Sequence, residues 1–163
     1  MNTKKKIFIG LLGLTLSIFL FYQLGKSFSP GSYPYAEIYE IKNSEMKVNE
    51  AIKTFKNLNP EYIVPEVNIN NKDSFNLAES EGRKDNSQWN FNYFFYKNEN
   101  EIIFTWTRTN SNGNTDFAFV GVNKSLTLGN WKDINNDFGF FENRKEKEKF
   151  ENRILKPIKN LIK

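Results

Sequence analysis

Residues 89–122 constrain the fold more than any other stretch, because three apolar, β-prone runs follow one another with short polar turns between them. The runs are 89–96 (WNFNYFFY), 102–108 (IIFTWTR) and 117–122 (FAFVGV). Aromatic and β-branched residues suit a pleated, partly buried surface. The dipeptide Asn112-Gly113, between the last two runs, is typical of a tight β-hairpin. The stretch therefore predicts a three-stranded antiparallel meander on which the rest of the chain packs.

The expected strand register gives this meander two apolar faces. A first turn at 98–100 places Phe94 opposite Phe104, and a second turn at Asn112-Gly113 places Trp106 opposite Phe119. An antiparallel sheet with one face in water normally shows a polar face, and neither face here is polar. Both faces therefore need cover. Either one helix lies on each face, or both helices share one face and leave the other as an aromatic cleft.

Two segments have the helical spacing that such cover requires. In residues 44–58, Val48, Ile52 and Phe55 form one apolar stripe, and Asn59-Pro60 ends the helix. In residues 142–162, apolar side chains recur at helical spacing, and Pro157 predicts a kink or a split in the helix. We therefore expect an α+β fold, with an antiparallel sheet built on the meander and packed by these two helices.

The connecting segments give weaker signals. Residues 35–41 suit a first strand, and residues 62–69 suit an edge strand, since Pro65 lacks the N–H that a central strand needs. Residues 70–88 predict a polar loop, and residues 123–137 predict a second loop, anchored in the core. Its expected anchors are Leu126, Leu128 and Trp131. The basic, amphipathic C-terminus suits either a membrane surface or docking on the sheet, and the uncovered sheet favours docking.

An uncharged apolar run at 7–24 follows Lys4, Lys5 and Lys6. Eighteen helical residues span about 27 Å, close to the hydrocarbon thickness of a bilayer. The run is either an uncleaved signal anchor or a cleavable signal peptide. The absence of alanine before Ala36 removes the usual cleavage site and favours the anchor. The preceding lysines place the N-terminus in the cytoplasm and the rest of the chain outside.

The sequence thus divides into three parts. We expect a transmembrane signal anchor at 1–25, a Gly/Ser/Pro tether at 26–36 and one extracytoplasmic domain at 37–163. Enrichment in Asn, Lys, Ile and Phe suggests an AT-rich bacterial genome. The predicted location is therefore the bacterial cytoplasmic membrane, crossed once.

Composition excludes several chemistries. The chain has no His and no Cys, which excludes disulfides, imidazole or thiolate metal sites, and catalytic triads that use either residue. The formal net charge of +4 lies at the two ends, while residues 26–141 carry twelve basic and fifteen acidic residues. A nucleic-acid-binding domain places its positive charge on the folded body, so this class is not expected. No motif predicts a cofactor.

The expected function is a non-catalytic binding or interaction domain of the cell envelope, for example an immunity-type or envelope-accessory protein with an envelope protein as partner. Candidate ligand-binding residues are Arg83 in the polar loop and Trp89, Tyr93 and Arg108 in the meander. One alternative is a module that binds an apolar ligand or lipid on an aromatic sheet face. Another is a hydrolase with paired carboxylates. Its candidates are Glu79, Glu81, Asp85 and Asp116.

Overall fold

The computed structural model describes residues 5, 11–21, 33–69, 73–127 and 129–162, with the side chains of 68–75 left out. Contacts divide the chain into two compact units, Met1–Pro34 and Tyr35–Lys163. In the first unit, residues 11–21 are helical. No helix within the described residues is both long and apolar enough to cross a membrane. The predicted anchor, 7–24, and the predicted tether, 26–36, each lie partly outside the described residues.

The second unit is an α+β domain, as the sequence predicts. Its strands are β1 (Glu37–Ile41), β2 (Val67–Ile69), β3 (Asp73–Phe75), β4 (Gly82–Arg83), β5 (Asn90–Tyr96), β6 (Glu101–Thr109), β7 (Thr115–Asn123) and β8 (Trp131–Asp133). Its α-helices are α1 (Glu45–Leu58), α2 (Phe140–Phe150) and α3 (Lys156–Leu161). Six strands form one sheet in the order β1-β7-β6-β5-β4, with β8 also paired to β7, while β2 and β3 pair separately. All of the strand pairs are antiparallel.

The predicted meander is confirmed as β5, β6 and β7, but its predicted register is wrong. Phe94 lies opposite Ile103 rather than Phe104, because the first turn has four residues, 97–100, instead of three. In the second hairpin Trp106 lies opposite Ala118 rather than Phe119. The Asn112-Gly113 turn itself is confirmed, and Gly113 has a φ of +76°, which favours glycine.

A β-bulge changes the pairing of β6 with β7 partway along the two strands. The pairing shifts between Phe104 and Thr105, since Phe104 lies opposite Gly121 while Thr105 lies opposite Phe119. Next to the bulge, β8 approaches so closely that a Cβ on Gly121 would lie 2.7 Å from the carbonyl oxygen of Lys132. Glycine is therefore required at this position of β7.

Both helical segments pack on the same face of the sheet. Val48, Ile52 and Phe55 of α1 are buried there, as the sequence predicts. The C-terminal helix docks on the same core through Phe150, Ile154 and Ile158, each of which is fully buried. Of the two arrangements expected from the sequence, the structure therefore adopts the one with both helices on one face.

The C-terminal helical segment is continuous but not uniform. A π-helical turn, Glu151–Leu155, separates α2 from α3. Pro157 lacks an N–H group and its ring crowds the carbonyl of residue 153, so a regular α-helix cannot run through this position unchanged. The π-helical turn ends two residues before Pro157, so the segment departs from a regular α-helix next to the proline rather than at it.

The opposite face of the sheet is aromatic. Trp106 is buried, while Trp89, Phe91, Tyr93 and Phe104 are half-buried. At one end of this face, a smaller cluster consists of Ile102 with Val64, Val67 and Leu77 from the chain before β4.

Three predicted connecting segments differ from the expectation. Residues 62–69 contain only a short strand, β2, outside the main sheet. The expected loop at 70–88 holds β3, a 3-10 turn at Leu77–Ser80 and β4. The expected loop at 123–137 forms β8, because its residues pair with the free edge of β7, and Ile134 is fully buried there. The predicted anchor Leu128 lies outside the described residues.

Candidate functional site

A cleft of about 460 Å³ lies beside α1, at the edge of the sheet where β4 pairs with β5. Its volume is within the range of small-molecule and peptide-binding pockets. The helix contributes side chains from one flank, next to its buried stripe, because positions four and seven residues apart lie on one side of an α-helix. The lining residues from α1 are Asn49, Ile52, Lys53, Lys56 and Asn57. The facing wall comprises Ile63, Val64, Ala78, Glu81, Gly82, Asn90 and Asn92.

An ion pair between Lys56 and Glu81 joins the two walls. The Lys56 side chain is only 13% exposed. Burial lowers the pKa of the Lys56 ammonium, while the charge and the hydrogen bond of Glu81 act in the opposite direction. The ammonium also lies 4.9 Å from the centre of the Phe94 ring, which adds a cation–π contact. The Glu81 carboxylate and the Phe94 ring thus hold the Lys56 ammonium in place beside α1.

Glu81 has a second role at the end of the short strand β4. Its Oε1 accepts the backbone N–H of Tyr93 at 2.8 Å. β4 pairs with β5 only at Gly82 and Arg83, so the carboxylate takes the place of the next ladder carbonyl. One side chain therefore completes the sheet edge and neutralises the buried lysine.

Carboxamides supply most of the other polar groups of the cleft. Asn92 is buried, and its Nδ2 donates to the carbonyl oxygen of Asn90 at 3.3 Å. The Oδ1 of Asn49 accepts the hydroxyl of Thr107 at 2.9 Å. Each carboxamide has both donors and acceptors, so these bonds leave further hydrogen-bonding capacity. With the aliphatic side chains nearby, the cleft suits an uncharged ligand that carries amide or hydroxyl groups and an apolar part.

Comparisons with protein-family models, with curated proteins and with solved structures gave no match.

Arg83, predicted as an anion contact, lies on the helix-covered side of the sheet edge. Its Nη2 pairs with Glu45 at 2.5 Å, and its Nη1 donates to the carbonyl oxygens of Ser87 and Gln88 at 3.1 and 2.8 Å. The guanidinium thereby fixes the turn between β4 and β5 to the start of α1. These contacts give Arg83 a structural role in this structure.

Trp89, Tyr93 and Arg108, the other predicted ligand-binding residues, are brought together on the aromatic face. Tyr93 stacks on Phe104 with ring centres 5.0 Å apart, and Trp89 lies 6.4 Å from Trp106. Arg108 lies over the same Trp106 ring at 5.2 Å. It also donates through Nε and Nη2 to the Asp116 carboxylate. The structure thus places three of the four predicted residues on one side of the sheet and Arg83 on the other.

The carboxylates considered for a hydrolase do not share a cleft. Glu81 pairs with Lys56 and Asp116 pairs with Arg108, while Glu79 and Asp85 are exposed. The pKa of Asp133 is raised by burial and by the nearby charge of Asp137. Those two acids lie in the turn after β8, where Asp137 accepts the N–H of Asp133 at 2.8 Å. Among the described residues, no cluster of acidic side chains could hold a metal ion.

The sequence pattern does not identify Lys56, the main charged residue of the cleft, as a site residue. One signal was present: Lys56 follows Phe55 and lies four residues after Ile52, at the border of the apolar stripe. A lysine at such a border can bury its aliphatic chain against the apolar surface and place its ammonium where that surface ends. Its partner Glu81 is remote in sequence, and no local pattern relates the two.

A buried hydroxyl without a hydrogen-bond partner lies on the other side of α1. Tyr96 is 3% exposed, and within the described part of the chain its hydroxyl has no partner. Burial raises its pKa, and the neighbouring Tyr62 adds to the effect. Tyr39 is a natural comparison, because its hydroxyl donates to Glu151 Oε1 at 3.0 Å.

We expect Tyr96→Phe to raise the free energy of unfolding by about 1 kcal/mol, since it removes an unsatisfied buried group. Tyr39→Phe should lower it by about 1 kcal/mol, since it removes a hydrogen bond. The pKa of Tyr96 is raised in the folded state, so above about pH 10 the tyrosine ionises in the unfolded chain while it stays neutral in the folded one. The free energy of unfolding therefore falls as the pH rises above about 10. Tyr96→Phe should therefore reduce the alkaline loss of stability. Denaturant titration of the full chain in detergent measures both effects, and a destabilised Tyr96→Phe variant would contradict the assignment.

Proposed function

We propose that this chain is a non-catalytic binding domain of the bacterial cell envelope, held at the cytoplasmic membrane by a single-pass anchor at 7–24. The N-terminus lies in the cytoplasm and the α+β domain lies outside. The domain binds an extended polypeptide segment of another envelope protein in the cleft between α1 and the β4–β5 edge.

The observation that carries the proposal is the chemistry of that cleft. Its carboxamides offer paired donors and acceptors, which match those of a peptide backbone. Ile52, Ile63 and Val64 provide an apolar surface for a side chain of the ligand. Of the three charged residues that line the cleft, Lys56 and Glu81 neutralise each other and Lys53 is exposed to solvent, so the buried part of the cleft favours an uncharged segment.

The same chemistry supports binding without catalysis. The chain has neither His nor Cys, which removes the commonest general bases and nucleophiles. The cleft carboxylate, Glu81, already accepts two hydrogen bonds, from Lys56 and from the Tyr93 N–H. A carboxylate held by these two bonds has a structural role in the cleft.

Photocrosslinking in intact cells tests the proposal with a pair of adjacent positions. Lys53 and Thr54 are both exposed on α1, but only Lys53 lines the cleft. We expect p-benzoylphenylalanine at position 53 to form a discrete adduct with one envelope protein. The same group at position 54 should form none, because it lies on the flank of α1 away from the cleft.

Two results would overturn this function. Identical adducts from positions 53 and 54 would show that the cleft does not select the partner. No adduct from position 53, with the chain present in the membrane fraction, would show that no partner occupies the cleft. A chain absent from the membrane fraction would contradict the anchor.

A further inference from the structure

Two adjacent phenylalanines stand almost fully exposed at the start of α2. Phe140 is 79% exposed and Phe141 is 83% exposed, and their rings contact each other edge to face with centres 5.3 Å apart. A pair of phenylalanine side chains at this exposure presents roughly 300 Å² of apolar surface in one place. Patches of this kind on a soluble surface usually mark a site of interaction.

Three basic residues lie near the pair. Arg144 and Lys145 follow Phe140 and Phe141 by one helical turn and lie on the same exposed side of α2. Lys132 of β8 is exposed beside Phe138, with its ammonium 5.4 Å from that ring. We call these residues the basic aromatic surface. Its members are Phe140, Phe141, Arg144, Lys145 and Lys132.

Two acidic residues of α2 next to this surface are paired with basic side chains. Glu142 accepts from Lys124 at 3.0 Å, and Glu148 accepts from Arg144 at 2.9 Å. In the part of the chain that the structure describes, Lys132 and Lys145 have no carboxylate partner within 4 Å. An exposed aromatic pair beside unpaired lysines matches an anionic lipid surface, which offers acyl chains for the rings and phosphates for the ammonium groups.

We propose that the basic aromatic surface docks on the anionic bilayer, with Phe140 and Phe141 inserted at the boundary between headgroups and acyl chains. The proposal deepens the proposed function and rests on its membrane tether. A tether of eleven residues spans at most about 40 Å, so it keeps the domain within reach of the bilayer. Docking fixes the orientation of the domain, which a tether alone leaves free.

The structure also removes the competing membrane-binding segment. The basic, amphipathic C-terminus is a candidate from sequence, but its apolar residues Ile154, Leu155 and Ile158 are buried in the core. The exposed apolar residues of this part of the domain are instead Phe140 and Phe141. The residues available for membrane contact therefore lie at the beginning of the helical segment and not at its end.

Site-directed spin labelling of the full chain tests the docking, and the absence of native cysteine makes each label unique. The chain is reconstituted in vesicles of phosphatidylcholine with phosphatidylglycerol. A nitroxide on Phe141→Cys should be accessible to oxygen and protected from a water-soluble nickel complex. Met46→Cys is the control, since Met46 is 67% exposed on α1 and lies outside the basic aromatic surface. Its label should remain accessible to the nickel complex.

Two further variants separate the apolar and electrostatic contributions. Adding Phe140→Ser should return the label at position 141 to water, with at least a tenfold loss of protection. Adding Lys132→Glu with Lys145→Glu should have the same effect, as should vesicles of phosphatidylcholine alone. Protection that is indifferent to all three changes would overturn the docking proposal.

The remaining outcomes separate docking from the tether and from self-association. Resistance of the chain to extraction by alkaline carbonate reports the anchor independently of the label. A carbonate-resistant chain with a water-exposed label at 141 overturns docking and leaves the tether intact. A protected label on a carbonate-extractable chain supports docking and overturns the tether. Spin–spin broadening at a label that is protected from both oxygen and the nickel complex would show that a second copy covers the surface, which overturns the lipid assignment.

Discussion

Phe150→Ala is expected to lower the free energy of unfolding by about 3–5 kcal/mol. Phe150 is fully buried at the end of α2, where its ring stacks on Phe119 with centres 4.7 Å apart. It also contacts Phe117 and Tyr39, each at 5.6 Å. The side chain therefore joins the C-terminal helix to both β7 and β1. Its removal leaves a cavity that these rigid rings cannot fill.

The control for this prediction is Phe140→Ala, which makes the same change ten residues earlier on the same helix. Phe140 is 79% exposed, so we expect a change within about 0.5 kcal/mol. Denaturant unfolding of the full chain in detergent, followed by tryptophan fluorescence, gives both values. Similar losses for the two variants would show that α2 does not pack on the sheet through Phe150.

Local patterns in the sequence predict most of the elements of this fold. The stripe of Val48, Ile52 and Phe55 predicts α1 because helical spacing is a property of consecutive residues. The same holds for the apolar runs of β5, β6 and β7 and for the turn at Asn112-Gly113. Each of these signals depends only on neighbours in the sequence, and each is confirmed.

The register could not be predicted, because it depends on details that local patterns do not encode. Residues 97–100 (KNEN) allow a turn of three or four residues, and one residue changes every cross-strand pair. No sequence pattern predicts the bulge between Phe104 and Thr105. Gly121, which lies opposite Phe104, is equally compatible with a regular strand. β8 was missed for a related reason, because three residues are too few to show a period.

The candidate site is harder still to predict. The cleft joins α1 to residues 78–92, which are distant in sequence, and its polar residues are mostly asparagines, which are common in loops throughout this chain. Only the assembled sheet edge brings Asn49, Asn90 and Asn92 together. The aromatic residues and arginines that the sequence predicts as ligand-binding instead pack on one another or pair with nearby acids.

The ion pair of the cleft leads to the second large effect. Glu81→Ala is expected to lower the free energy of unfolding by about 3 kcal/mol, because it leaves the Lys56 ammonium nearly buried without its carboxylate. It also removes the acceptor of the Tyr93 N–H. Lys56→Met should cost no more than about 1 kcal/mol, since methionine fills a similar volume without a charge.

A double-mutant cycle and its pH dependence identify the cause. In the double variant Lys56→Met/Glu81→Ala, the loss should be smaller than the sum of the single losses by at least about 1 kcal/mol. Burial lowers the pKa of Lys56, and removing Glu81 takes away the carboxylate that opposes this shift. The unfolded chain then holds the lysine proton at pH values where the folded chain has released it. Stability of the Glu81→Ala variant should therefore recover as the pH rises toward the unfolded lysine pKa of about 10.4.

Unfolding measured at about pH 7 and about pH 9 gives the comparison, since both lie at least one unit below the unfolded tyrosine pKa of about 10. The deficit of Glu81→Ala relative to the unmodified chain should be smaller at the higher pH. In the Lys56→Met background, Glu81→Ala should show the same deficit at both pH values, because Lys56 is no longer present to titrate. A deficit that is equal at both pH values in both backgrounds would mean that Glu81 stabilises the cleft through the Tyr93 N–H alone.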